Sequence, residues 1–228
     1  MLKKQKKLSR KEIKEDKLVD LYYKSQNFFE ENKNKVFLYA GALAVVVIAV
    51  ILFLNYRSNQ NEAAGTQLAN VMDTYDTGAY LEAIEGKQGT NILGLKKIVQ
   101  DYGSTENGET AKIYLANCYS NLGKPDEALK YYEDYSGSID LYKAAALAGQ
   151  ASIIASKNDY AKAADLYLKA SKVSKNNILD ADYIFQAAIN FIESGDKDQA
   201  KNLLQTIKDD YKTSAVNAQV DRYLSQLN

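Results

Sequence analysis

The 228-residue chain contains no histidine, no tryptophan, one cysteine (Cys118) and one proline (Pro125). Without histidine there is no Ser-His-Asp triad, no Cys-His dyad and no imidazole ligand for a metal. A single cysteine excludes an internal disulfide and any CxxC zinc or redox pair. One proline and 12 glycines are too few for a loop-rich β protein or a disordered linker. Basic and acidic residues balance at 29 each, so bulk positive charge does not drive nucleic-acid binding. The composition favours an all-α chain without a catalytic, cofactor or metal site. Acid pairs do occur, Asp209-Asp210 and Asp180/Asp182. Carboxylates one or two positions apart on a helix point in different directions, which reads as a solvated face. Cys118 reads as a buried, inert thiol.

The balanced charge hides a division. Residues 36–54, VFLYAGALAVVVIAVILFL, hold no charge, Asn, Gln or Pro. As a helix rising about 1.5 Å per residue they span roughly 28 Å, the hydrocarbon thickness of a bilayer. A long preceding segment and the absence of a small-x-small site at Asn55 to Ser58 argue for a retained anchor over a cleaved signal peptide. Tyr39 and Tyr56 sit near the ends of the run, where amphipathic rings favour the membrane interface. Residues 1–35 carry 11 Lys and Arg against 6 Asp and Glu, a net +5. Residues 55–228 carry 18 against 23, a net −5. The positive-inside rule then places the N-terminus in the cytoplasm and residues 55–228 across the membrane.

The tail, residues 1–35, opens on Lys3, Lys4, Lys6, Lys7, Arg10 and Lys11. Such a run attracts anionic lipid at roughly 1 kcal/mol per charge near the surface, and ribosome contact is a second use for it. Ser9-Arg10-Lys11-Glu12 fits a capping box. Leu18, Leu21, Tyr22, Phe28 and Phe29 form one apolar stripe, which is expected to face the headgroup layer or a partner.

Beyond residue 60 the pattern is helical and repeated. Residues 115–135, 150–170 and 187–207 align on Ala116, Ala151 and Ala188, then on Tyr119, Ile154 and Phe191. Gly123, Asn158 and Gly195 align at a turn. Ala128, Ala163 and Ala200 follow, and then Tyr132, Tyr167 and Leu204. The periods are 35 and 37 residues, within the range of stacked repeats. Small residues let two helices approach, aromatics fill the gap to the next hairpin, and Gly or Asn takes the left-handed turn. This arrangement resembles the tetratricopeptide repeat family. The likeness implies a helical-hairpin solenoid after one transmembrane helix, with repeats near 109–142, 144–178 and 181–212. A degenerate repeat is expected near 60–102, where Ala83 precedes Ala128 by 45 residues and an insertion lies around Glu85 to Asn91. A capping helix is expected over 214–227.

Such solenoids bind protein segments on the face of their first helices. Here the alignment puts Asn117, Ser120, Asn121, Ser152, Ser156, Phe185, Ile189 and Ile192 on that face. It lacks the Lys and Arg of a carboxylate clamp and suits extended or partly unfolded chain, or a partner helix. Phe185 and Ile189 fit packing against the neighbouring hairpin equally well.

The joined layout, with Phe28-Phe29-x-Glu31-Asn32 before the span and Tyr56-Arg57-Ser58 after it, resembles the YfgM-like ancillary subunits of the bacterial Sec translocon. That resemblance implies an inner-membrane protein with a periplasmic domain. It implies partnership with Sec subunits, with a PpiD-like periplasmic chaperone and with unfolded or newly translocated polypeptides. Phe28, Phe29, Tyr39 and Tyr56 are then the residues for membrane or translocon contact. A scaffold for another envelope assembly, in cell division or polysaccharide export, is the competing expectation.

Overall fold

A computed structural model describes residues 10–174 and 177–227, with side chains from residue 19 onward. Lys3, Lys4, Lys6, Lys7 and Ser9, and the side chains of Arg10, Lys11, Glu12 and Leu18, lie outside the described residues. The elements in chain order are α1 (Arg10–Asp76), α2 (Tyr80–Glu85), α3 (Leu95–Tyr102), α4 (Glu106–Asn121) and α5 (Pro125–Glu133). They continue with α6 (Asp140–Ser156), α7 (Tyr160–Ala170), α8 (Asp180–Ser194), α9 (Lys197–Asp210) and α10 (Asn217–Gln226). No strand occurs among the described residues beyond an isolated bridge between Gly86 and Leu93. The fold is all-α, in two units that divide at Tyr56 and Arg57.

In the first unit α1 runs without a break through the apolar stretch. Proline is absent there and Gly41 is its one glycine, so every interior amide keeps its carbonyl partner. The helix is long and apolar enough to cross a membrane, and its apolar side chains stand exposed. Phe28, Phe29, Tyr39 and Tyr56 are exposed on it as well. Phe29 meets Phe37 edge to face at 5.9 Å. Asp20 and Lys24 form an exposed ion pair at 2.8 Å, a contribution of about 0.3–0.5 kcal/mol.

In the second unit, four turns share one geometry. Gly78, Gly123, Asn158 and Gly195 have φ of +78°, +70°, +65° and +87°. In each turn this residue's N–H donates to the carbonyl three residues back. The following N–H donates to the carbonyl five back: Thr74, Tyr119, Ile154 or Phe191. This is the Schellman arrangement, which satisfies the orphan carbonyls of the ending helix. The next residue, Ala79, Lys124, Asp159 or Asp196, is at once the N-cap of the following helix. Asp159 and Asp196 cap with their carboxylates, and Pro125 sits early in α5 where no N–H is needed. Hydrogen bonds from the Gln199 side chain and backbone hold the Asp196 carboxyl below its usual range.

Four hairpins follow from these turns: the Arg57-to-Asp76 segment of α1 with α2, then α4–α5, α6–α7 and α8–α9. Ala83, Ala128, Ala163 and Ala200 sit at one equivalent position in the second helices, and all four are fully buried. At Gly149 the ring of Tyr132 lies so close that any Cβ would collide with it, which brings α5 and α6 together. In the first hairpin the second helix is interrupted. α2 ends at Gly86 (φ +92°), residues 87–93 loop out, and α3 resumes after Gly94, which rests on the backbone of Ile84 to Gly86. Leu68, Val71, Ile84, Leu95, Ile98 and Leu115 pack one core across α1 to α4 despite that loop. At the far end α10 covers α8 and α9, with Phe185 edge-on to Tyr223 at 5.4 Å.

Without a proline between repeats, the loop from α5 to α6 is held by carboxylates of α4. Glu106 accepts from the N–H groups of Ser138 and Ile139, and Glu109 from the N–H and hydroxyl of Ser136. Glu109 also pairs with Lys112 at 2.8 Å, and both are nearly buried. Lys112 reaches the Asp134 carbonyl and carboxylate at 3.0 and 2.9 Å. Burial alone would lower the Lys112 pKa, but its bonds to Glu109 and Asp134 outweigh it and the net shift is upward. The ammonium therefore stabilises the fold below its ordinary pKa, and the contribution is lost as pH rises through the raised value.

Two outcomes are expected from chemical denaturation of the protein in detergent micelles. Gly195→Ala lowers stability by about 1 kcal/mol because φ is positive there, and Gly195→Asn by less than half of that. Lys112→Met strands the buried Glu109 charge and lowers stability by about 3–5 kcal/mol. Equal losses for the two Gly195 variants would contradict the turn account.

Candidate partner-binding surface

The first helices of the first three hairpins, the α1 segment, α4 and α6, lie beside one another. On it a groove of about 320 Å³ opens over the α1 segment, α4 and the start of α6. Its walls include Leu68 and Met72 of α1, Thr110 and Tyr114 of α4, and Ile139 and Tyr142 at α6. The spacing explains the wall: Leu68 and Met72, like Thr110 and Tyr114, are four apart and share a helix face. Two contacts bring α4 and the loop before it to α1. Asn107 donates its backbone N–H to Asn61 Oδ1 and its amide to the Asn61 carbonyl, both at 2.8 Å. Arg57 donates to the Ser104 carbonyl at 2.8 Å.

A row of tyrosines runs beside the groove. Tyr80, Tyr75, Tyr114 and Tyr142 meet edge to face with centroid separations of 5.9, 5.1 and 6.1 Å. Such geometry sets the positive ring edge against the negative face, worth about 0.5–1.5 kcal/mol per pair beyond burial. Tyr132 donates to Asn117 Oδ1 at 2.5 Å, and Asn117 donates to Tyr75 Oη at 3.3 Å. Burial raises the Tyr75 and Tyr114 pKa values, with further contributions that include the Asp76 carboxylate. Burial also pushes Tyr132 up to about 12. These hydroxyls stay neutral near pH 7, and no cation lines the groove.

The sequence-predicted residues divide. Ser120, Asn121, Ser152 and Ser156 are exposed on α4 and α6. Asn117 is half-buried and committed to the tyrosine network. Phe185 takes the packing role that its sequence position also allowed. At 5% exposure it belongs to the core under α10, because the capping helix fills that end of the stack with Val216, Val220 and Tyr223. Ile189 packs partly into the same cluster, and Ile192 onto Ala164, Phe191 and Ala200. Asp180, expected on a solvated face, is 3% exposed, and burial raises its carboxyl pKa. Asp182 is half-buried, whereas Asp209 and Asp210 are exposed.

The groove residues Leu68, Met72, Thr110, Tyr114, Ile139 and Tyr142 were not singled out from the sequence. A signal for them exists: twelve residues before Ala83, the Ala116-to-Ala128 spacing, falls Val71. That count places the α1 segment as a first helix. Cys118 is fully buried in the core of α1 to α4, and burial raises its thiol to about 12. No cluster of three or more His, Cys, Asp or Glu suited to a metal occurs among the described residues.

The tetratricopeptide repeat model matches residues 111–136 and 182–214, within hairpins α4–α5 and α8–α9 and the residues that follow each. Those two segments are similar to tetratricopeptide repeats, and such repeats form protein–protein interaction scaffolds. No curated protein and no solved structure matches the chain.

The thiol of Cys118 is expected to resist maleimide labelling in the folded protein and to react fully after denaturation. Labelling of the native protein at the rate of a free thiol would contradict its burial.

Proposed function

We propose that this protein is a membrane-anchored, non-enzymatic adaptor of the bacterial Sec translocon, which holds partner proteins and newly translocated chains on its first-helix surface. The anchor is the apolar run of α1, with the N-terminus in the cytoplasm and the repeat domain in the periplasm. A PpiD-like chaperone and Sec subunits are the partners. The observation that carries the reading is the groove over α1, α4 and α6. It is largely apolar, uncharged along its walls and built by three successive first helices, which suits extended polypeptide. Anchoring supports the same reading, because confinement at a membrane raises the effective concentration of the domain and weak contacts then suffice.

The stripe before the span fits a protein partner better than lipid. At about 1.5 Å per residue of unbroken helix, Leu21 and Tyr22 lie roughly 20 Å before the apolar run begins. The headgroup layer adds only about 5–8 Å on each side of the hydrocarbon. These residues therefore stand clear of lipid, exposed and apolar, and the translocon's cytoplasmic side is the surface we assign to them.

Affinity purification of the tagged protein in mild detergent is expected to recover Sec subunits and a PpiD-like chaperone. Ala69→Trp, which fills the groove, should reduce the chaperone and client share severalfold and leave membrane insertion unchanged. An eluate without Sec components, or one dominated by cell-division or polysaccharide-export proteins, would sink the proposal.

A further inference from the structure

We infer, taking that surface as the partner-binding face, that the groove selects extended segments with a large apolar side chain beside a basic residue and disfavours segments with acidic residues there. The apolar requirement comes from Leu68, Met72 and Ile139, which leave about 320 Å³ open between aromatic edges. The demand for extended main chain comes from Thr110. This residue lines the groove, is 4% exposed, and its hydroxyl has no hydrogen-bond partner. Helical threonines ordinarily return the hydroxyl to a carbonyl one turn back. Thr66 and Thr206 do so here, at 3.1 and 3.0 Å to the Glu62 and Asn202 carbonyls. Thr110 does not, so an unsatisfied hydroxyl lies beneath the groove wall, and a turn about χ1 would present it to a main-chain amide or carbonyl in the groove.

The charge preference comes from what surrounds the opening. Asp76 is exposed and lies one helical turn beyond the wall residue Met72, on the same face of α1. On the other side Glu106 holds the backbone N–H of Ile139, itself a wall residue. No Lys or Arg lines the groove to offset the two carboxylates. A basic residue flanking the apolar anchor gains from this field, and an acidic one is repelled.

The test uses the full-length protein in zwitterionic-lipid nanodiscs and three sets of fluorescent peptides that share one Phe anchor, flanked by Lys, Gln or Glu. The Lys set should bind most tightly and the Glu set least, about tenfold apart at low ionic strength, with the gap narrowing as salt rises. Asp76→Lys should erase the Lys preference. Thr110→Val should weaken all three sets severalfold, and Thr110→Ser should restore them. Equal binding of the Lys and Glu sets, or a preference unchanged by Asp76→Lys, overturns the inference; if Ala69→Trp still abolishes binding, the partner-binding face stands. If no set binds, or Ala69→Trp changes nothing, that reading fails together with the inference.

Discussion

One residue in the left-handed region, at the end of each first helix, is the constraint from which the rest of the repeat domain follows. Gly78, Gly123, Asn158 and Gly195 each let the chain reverse within two residues while the ending carbonyls keep their donors. A reversal that short forces the second helix back along the first. Only small residues fit where the helices then touch, hence the fully buried Ala83, Ala128, Ala163 and Ala200. With that turn repeated, the α1 segment, α4 and α6 come beside one another, and the groove is the space between their outward faces. The site is therefore a consequence of turn geometry more than of any residue placed for binding.

Two departures from the regular repeat show how that geometry is kept. The loop over residues 87–93 splits the first hairpin's second helix, yet Gly86 and Gly94 close its base and α3 resumes packing against α4. Between α5 and α6 the carboxylates of Glu106 and Glu109 take over the ordering of the connecting loop, with Lys112 neutralising the buried acid. A buried pair of this kind contributes less to stability than to uniqueness of arrangement, since each member is costly without the other. Glu106 acts twice, fixing the loop and placing a negative charge beside the groove.

The turns and small contacts were legible in the sequence because few residue types tolerate either environment. Gly, or Asn, is required where φ is positive, and Ala where two helix axes converge, so spacing alone revealed three hairpins. The first hairpin was harder to read. Its first helix is a segment of α1, its second is broken by a loop, and Val71 stands where the others have Ala, which hides the alignment. Phe185 is ambiguous in sequence for a related reason. An apolar residue at a first-helix surface position is indistinguishable, in sequence, from one that a later capping helix covers, and α10 covers it. The groove itself depends on Ile139 and Tyr142, which the clamped loop brings beside α4, and that contact has no signature in local periodicity. Asp180 shows the same limit, because its burial comes from tertiary packing while its sequence context reads as solvated.

The central claim is that the groove over α1, α4 and α6 holds partner or client chain at the membrane. Photocrosslinking in living cells, from a probe residue placed at Met72 or Tyr142 and, for comparison, at the exposed second-helix position Glu127, tests it most directly. The account expects adducts with secreted polypeptides, Sec subunits or their chaperone from Met72 and Tyr142, and few from Glu127. Equal adducts from all three positions, or none from the groove, would contradict it.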